Sequence, residues 1–130
     1  MSISLWCLFF AGLLHVISKT PLAIAQARMP KGYDNSNPRK QQDELDGWGQ
    51  RALAAHQNQI ESFPLFAAGI LVVAATGVES TAITYLSMSY ILARVLYIYL
   101  YIKDIATLRS IAWSVGFINS LALICGPSWM

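Results

Sequence analysis

The stretch RALAAHQNQIESFPLF, Arg51 to Phe66, decides how this chain is read. It heads a long apolar run, yet it sets an arginine, a histidine, an asparagine, a glutamate and a proline where lipid-facing residues would be expected. An ionisable group inside a membrane span is costly and faces a partner, a cavity or water. Glu61, a dozen residues into the run, asks for such a companion.

The rest of the chain supports a membrane reading. Of 130 residues, 55% are hydrophobic and 12% charged, where soluble domains carry about 25% charged residues. Mean hydropathy is +0.46. A crossing helix takes about 20 mostly apolar residues. Four segments qualify: residues 3–27, 48–76, 81–102 and 107–125, after which Gly126-Pro127 stops the last. The fold class is therefore all-α, an integral membrane four-helix bundle in one domain over residues 1–130. Residues 28–47, RMPKGYDNSNPRKQQDELDG, form a solvated loop with a helical turn expected after Asn37 or Pro38. The links GVES and KDIA are short and force antiparallel neighbours, so spans two, three and four pack side by side. Ala23–Ala25 resembles a leader cleavage site, but no Lys or Arg precedes the apolar stretch and the stretch is long, so a retained span is expected.

Charge orients the bundle. Arg28, Lys31, Arg39, Lys40 and Arg51 surround the first loop, and Lys103 and Arg109 flank the third link. The N-terminus, GVES and the C-terminal tail carry no Lys or Arg. The excess of basic residues on one side puts both termini outside and the long loop in the cytosol. A net charge of +2 is too small to point to nucleic acid. Cys7 and Cys125 lie in apolar segments with no metal or redox spacing and read as buried, inert thiols rather than a disulfide. His15 and His56 have no second ligand at metal spacing, so no metal is expected.

Within the spans the ionisable residues are Lys19, Glu61 and Arg94, and Lys19 can snorkel toward the cytosol. At about 100° per residue, Arg51, Asn58 and Glu61 fall within roughly 80° of one another, and Tyr90, Arg94, Tyr97 and Tyr101 form a stripe on the third span that Tyr99 leaves. At about 1.5 Å per residue, Glu61 lies roughly 15–20 Å from the start of its helix and Arg94 roughly 14 Å from Lys103, so antiparallel helices can bring the two together. One reading is a buried ion pair that fixes register. The other makes the pair the floor of a polar pocket open to the cytosol, lined by Arg51, Asn58, Tyr97, Tyr101 and Arg109. The extra donors on the same two faces favour the pocket. Pro64 frees the Ile60 carbonyl and bows the helix just above Glu61. Gly116 and Ser120, four apart, permit close helix packing.

These residues resemble the MAPEG family, the membrane-associated proteins in eicosanoid and glutathione metabolism. The matching pattern is Arg51, then Asn58-x-x-Glu61-x-x-Pro64-Leu65-Phe66, followed on the next helix by Arg94, Tyr97, Tyr101 and Arg109-Ser110. The third-to-fourth region looks most like the bacterial members, which implies an inner-membrane location. The resemblance implies a homotrimer with glutathione as co-substrate in clefts between subunits, near the cytosolic face. Lipophilic small molecules would reach it from the membrane lipid. Arg51, Asn58, Glu61, Arg94, Tyr97 and Tyr101 would hold the tripeptide, and Arg109 would stabilise its thiolate.

The chemistry suits those roles. Arginines bind carboxylates through charge-assisted hydrogen bonds. A carboxylate such as Glu61 suits an α-amino group. A cation beside a thiol enlarges the thiolate fraction. The chain departs from the eicosanoid enzymes at Ala54, where they have an arginine, at Gln57, where the prostaglandin-synthase type has a basic residue, and at Trp113, where that type has a tyrosine. The spacing from Tyr101 to Arg109 differs from theirs by one residue. Three functions follow: a glutathione-dependent transferase or peroxidase acting on lipophilic electrophiles or lipid hydroperoxides; a non-catalytic protein of the same fold that binds lipid or a partner; and a small multidrug exporter with Glu61 as its membrane carboxylate, which a Glu61–Arg94 pair would disfavour by holding the acid ionised.

Overall fold

A computed structural model describes residues 1–130, all helix and connection. Four helices are long and apolar enough to cross a membrane: α1 (Ile3–Ala27), α3 (Gly47–Thr76), α4 (Thr81–Ile102) and α5 (Ala106–Ile124). Two short helices complete the chain, α2 (Pro38–Gln42) in the long loop and α6 (Gly126–Trp129) at the end.

Local chemistry sets the helix ends. The Ser2 hydroxyl accepts from the Leu5 amide at 3.3 Å and starts α1, and the Ser80 hydroxyl does the same for Ile83 at 3.2 Å at the head of α4. Gly77 ends α3 at φ 68°, the left-handed conformation that a glycine takes without steric cost, and the Val78 amide then reaches back to the Val73 carbonyl at 3.2 Å. The turn after α4 uses the same geometry with Asp104 at φ 62° and the Ile105 amide on the Leu100 carbonyl at 2.9 Å. Aspartate tolerates that region better than most side chains. Both links are therefore tight, and α3, α4 and α5 lie against one another.

The long loop is ordered by side-chain amides. Gln41 is buried; its Nε2 donates to the Gly32 carbonyl at 2.7 Å, and its Oε1 accepts from Gln26 Nε2 and from the Asp34 amide, each at 3.0 Å. These bonds tie α2 to the end of α1.

Inside the bundle, Ser4, Cys7, Ala11, Leu14, Ser18, Leu22 and Ala25 form one buried stripe on α1, at the spacing of three and four that keeps residues on one face. It packs chiefly on α3. Phe66 stacks flat on Tyr90 at 3.8 Å between ring centroids, and the Tyr90 hydroxyl meets Ser62 at 2.9 Å. At Gly69, α3 and α5 nearly touch: a Cβ there would lie 2.7 Å from Leu123 Cβ and 3.2 Å from the Ser120 carbonyl oxygen. Much of the outer surface is large and apolar, including Phe9, Val16, Leu71, Met88, Leu92 and Ile118, as lipid contact requires. Cys7 is buried and Cys125 exposed, both as free thiols, so the expectation that both are buried fails for Cys125, which lies at the very end of α5 beyond its packed face.

Candidate functional site

Arg94 is the largest side chain with no solvent exposure. Its Nε donates to Gln59 Oε1 at 2.7 Å and its Nη2 to Asn58 Oδ1 at 2.8 Å. The guanidinium carbon lies 4.2 Å from the centre of the Tyr97 ring, within reach of a cation–π contact. Gly116 packs beside its stem, and a Cβ there would stand in ordinary contact, 3.4 Å from Arg94 Cδ. A guanidinium only donates, so the Gln59 amide must turn its oxygen toward it. The amide nitrogen is then left buried with no hydrogen-bond partner.

From Arg94 a polar row continues toward the loop end of the bundle. Tyr97 meets Tyr101 edge to face at 5.7 Å. Arg109 lies over the Tyr101 ring at 4.5 Å. Two cations thus bracket two phenol rings. Asn58, Tyr97, Tyr101, Arg109, Ser110 and Trp113 line an open recess of about 440 Å³ between α3, α4 and α5. Arg109 stands in the first turn of α5, and no side chain caps that helix start. Free amides and the positive end of the helix dipole add to its charge. The recess is thus equipped for an anion, with phenol and serine hydroxyls as further hydrogen-bond groups.

The structure gathers part of the residue set expected from the sequence. Asn58, Tyr97, Tyr101 and Arg109 share the recess, and Arg94 lies directly behind it, bonded to Asn58. Arg51 is engaged elsewhere, since its Nε donates to the Ile102 carbonyl at 3.0 Å and ties α3 to the end of α4. Glu61 does not meet Arg94. No carboxylate oxygen lies within 4.0 Å of any guanidinium or ammonium nitrogen, and Glu61 is exposed. The expected ion pair, in both its forms, is replaced by a cation held between neutral amides and a ring.

The reason is angular. At about 100° per residue, Asn58, Gln59 and Ser62 bracket the line along which α3 faces α4, and Glu61 falls roughly 100° away from the middle of that arc. A sector of roughly 80° groups Glu61 with Asn58 but is wide enough to hold both a buried and an exposed side chain. Gln59, the true partner of Arg94, was missed in the sequence. The signal was available: an amide beside Asn58, level with an arginine in an apolar helix.

The two histidines are also closer than their spacing suggests. His15 and His56 meet edge to face at 5.2 Å across α1 and α3, and Ser18 Oγ lies 2.8 Å from His56 Nδ1. No group of three or more metal-ligating side chains surrounds them.

With this geometry in view, the chain can be placed. It belongs to the MAPEG family, whose family model matches residues 3–129, nearly its whole length. Neither curated proteins nor solved structures offer a match to it. Membership sets it broadly among membrane proteins of the glutathione-linked transferase and peroxidase type. It also argues against the exporter, whose dismissal through a Glu61–Arg94 pair loses its basis in the structure.

Proposed function

We propose that this protein is a membrane-embedded, glutathione-dependent transferase or peroxidase acting on lipophilic electrophiles or lipid hydroperoxides. The observation that carries the reading is Arg109: a guanidinium with no carboxylate partner, fixed over Tyr101 at the uncapped start of α5, in a recess that also holds Asn58, Tyr97 and Ser110. Such a cation stabilises a thiolate over the thiol. With an electrophilic carbon, the sulfur lone pair forms the S–C bond as the carbon–leaving-group bond breaks, and the leaving group departs with the electron pair. With a hydroperoxide, sulfur attacks the terminal oxygen, the O–O bond breaks and the alkoxide takes a proton. The resulting sulfenic acid is reduced by a second thiol, giving a disulfide and water.

Glutathione carries two carboxylates and one ammonium, and a single chain does not match all three. Arg109 is free, Arg94 is engaged by Asn58 and Gln59, and Arg51 by a backbone carbonyl. Glu61 is exposed roughly 20 Å along α3 from its start, a depth at which a bare carboxylate would face lipid. Further copies of the chain, as a homotrimer, would cover Glu61 and bring a second cation to the recess. The excess of basic residues around the long loop puts that end in the cytosol and both termini outside, in a bacterial inner membrane.

Calorimetry of the detergent-solubilised protein with glutathione tests the reading. Binding is expected, with Arg109→Ala weakening it about tenfold or more, as loss of a hydrogen bond to a charged group does. Turnover with a model electrophile should fall in parallel. Affinity that Arg109→Ala leaves unchanged would rule the site out.

One observation favours the non-catalytic alternative, a protein of the same fold that binds lipid or a partner. Arg94 and Asn58 spend polar atoms on each other, leaving fewer for a tripeptide. Under that reading glutathione gives no heat in the wild type.

A further inference from the structure

On the opposite flank of α3, two recesses lie one beyond the other along α1. The one toward the loop end measures about 380 Å³ and is bordered by Lys19, Arg39, Gln42, Asp43 and His56. The deeper one, about 210 Å³, is bordered by Ala11, Gly12, Phe63 and His15. Ile60 lines both, and the His15–His56 contact lies between them, one ring bordering each. From Lys19 to Ala11 the groove follows α1 for about 12 Å. Its polar end holds two cations against one carboxylate, and its inner end is largely apolar.

Lys19 is the anomaly. It is partly buried in an apolar span, eight residues before the end of α1, and no carboxylate oxygen lies within 4.0 Å of it. Even partial withdrawal of an ammonium from water without a counterion is unfavourable. Arg39, on α2, faces the same recess, and the amide bonds of Gln41 and Gln26 fix α2 there. A negative group between Lys19 and Arg39 would neutralise both, and a hydrocarbon chain on that group would continue into the apolar part. Basic pockets between membrane helices take anionic lipid headgroups by this chemistry.

We propose that the α1–α3 groove is a binding site for an anionic phospholipid, with its phosphate between Lys19 and Arg39 and one acyl chain running past Ile60 toward Gly12 and Phe63. This site is separate from the α3–α4–α5 recess and does not depend on the activity proposed for it.

Native mass spectrometry of the solubilised protein, titrated with phosphatidylglycerol or phosphatidylcholine, tests it. Phosphatidylglycerol should be retained in preference. The double variant Lys19→Gln/Arg39→Gln should reduce its retention about thirtyfold, and Lys103→Gln, a basic residue away from the groove, should not. A Cβ at Gly12 meets nothing within 4 Å, so a side chain can leave the backbone there without a clash, and Gly12→Leu should lower retention by obstructing the inner recess. Equal retention of the two lipids, or equal loss in Lys103→Gln, would overturn the site. Complete displacement of phosphatidylglycerol by inorganic phosphate would overturn the acyl-chain part, and preference for oleate would reassign it to a fatty acid. In wild-type protein phosphatidylglycerol should slow amine acetylation of Lys19 relative to Lys103. Absence of that protection counts against the site even if the variants do not fold.

Discussion

Helix α3 separates two polar hollows of opposite construction. On its α4 side, Arg94 is sealed by Gln59, Asn58 and Tyr97, and that fixed frame presents a second cation, Arg109, to the recess. On its α1 side, Lys19 and Arg39 approach a groove from a span and from a loop helix, with no ring or amide holding either. The first hollow is organised before any ligand arrives, as chemistry at a defined atom requires. The second has unpartnered cations and an apolar trough, which suits retention of an amphiphile whose position needs no such accuracy. Within one bundle, a buried cation with neutral partners is scaffold, and a cation without partners is where a ligand is to be sought.

Removing the scaffold cation should have the largest effect. Arg94→Ala leaves the buried Gln59 amide oxygen without its donor, at about 1–3 kcal/mol, takes a second bond from the part-buried Asn58, and opens a void beside Gly116. Relief from burying a charge offsets part of this, so a net loss of roughly 2–4 kcal/mol is expected in detergent unfolding. Arg94→Met, which refills the space, should lose less. If Arg94→Ala proved as stable as wild type, Arg94 would be ligand-facing and the contrast between the two hollows would collapse.

Next comes the contact that sets the width of the α3–α5 crossing. Valine at Gly69 would drive its Cβ into Leu123 and the Ser120 carbonyl, and part of that obstacle is backbone, which cannot rotate away. Gly69→Val should cost about 1–3 kcal/mol and reduce glutathione binding, while phosphatidylglycerol retention in the α1–α3 groove holds. Gly12→Ala, in the open groove, should be neutral or stabilising by up to about 1 kcal/mol. Equal losses at the two glycines would mean that the hollows are mechanically coupled.

The sequence carried the fold much further than the site. Length, apolarity and short links are enough to specify four spans, and the Tyr90–Arg94–Tyr97–Tyr101 stripe is a property of one helix, readable from its period alone. Tyr90, Arg94 and Tyr97 are buried as that stripe requires, and Tyr99 is exposed. The pairing of Arg94 was not readable, because it depends on how α3 is rotated about its own axis. A turn of about 100° would swing Glu61 onto the line toward α4 in place of the Asn58–Gln59 arc, and opposite charge made the wrong choice attractive. The Ile102 bond of Arg51 was hidden for a related reason. A helix end needs its carbonyls satisfied, and a nearby guanidinium serves that need at Ile102, yet nothing in the spacing of α3 shows that the end of α4 lies within its reach.

The smallest effect on stability is expected at Glu61, and it sharpens the contrast most. Within one chain its carboxylate is exposed and bonds to nothing, so Glu61→Gln should leave unfolding of the isolated chain within experimental error. The two readings of the exposed acid then separate in the assembled protein. If a neighbouring copy covers Glu61 and the acid receives the ammonium of glutathione, Glu61→Gln should weaken that binding severalfold, leave chemical crosslinking to the trimer intact and leave phosphatidylglycerol retention unchanged. If it serves only the contact between copies, crosslinking should fall while any residual trimer binds glutathione normally. A variant that alters neither would place Glu61 outside both the interface and the recess, and the α3–α4–α5 hollow would then have to function with Arg109 as its only free charge.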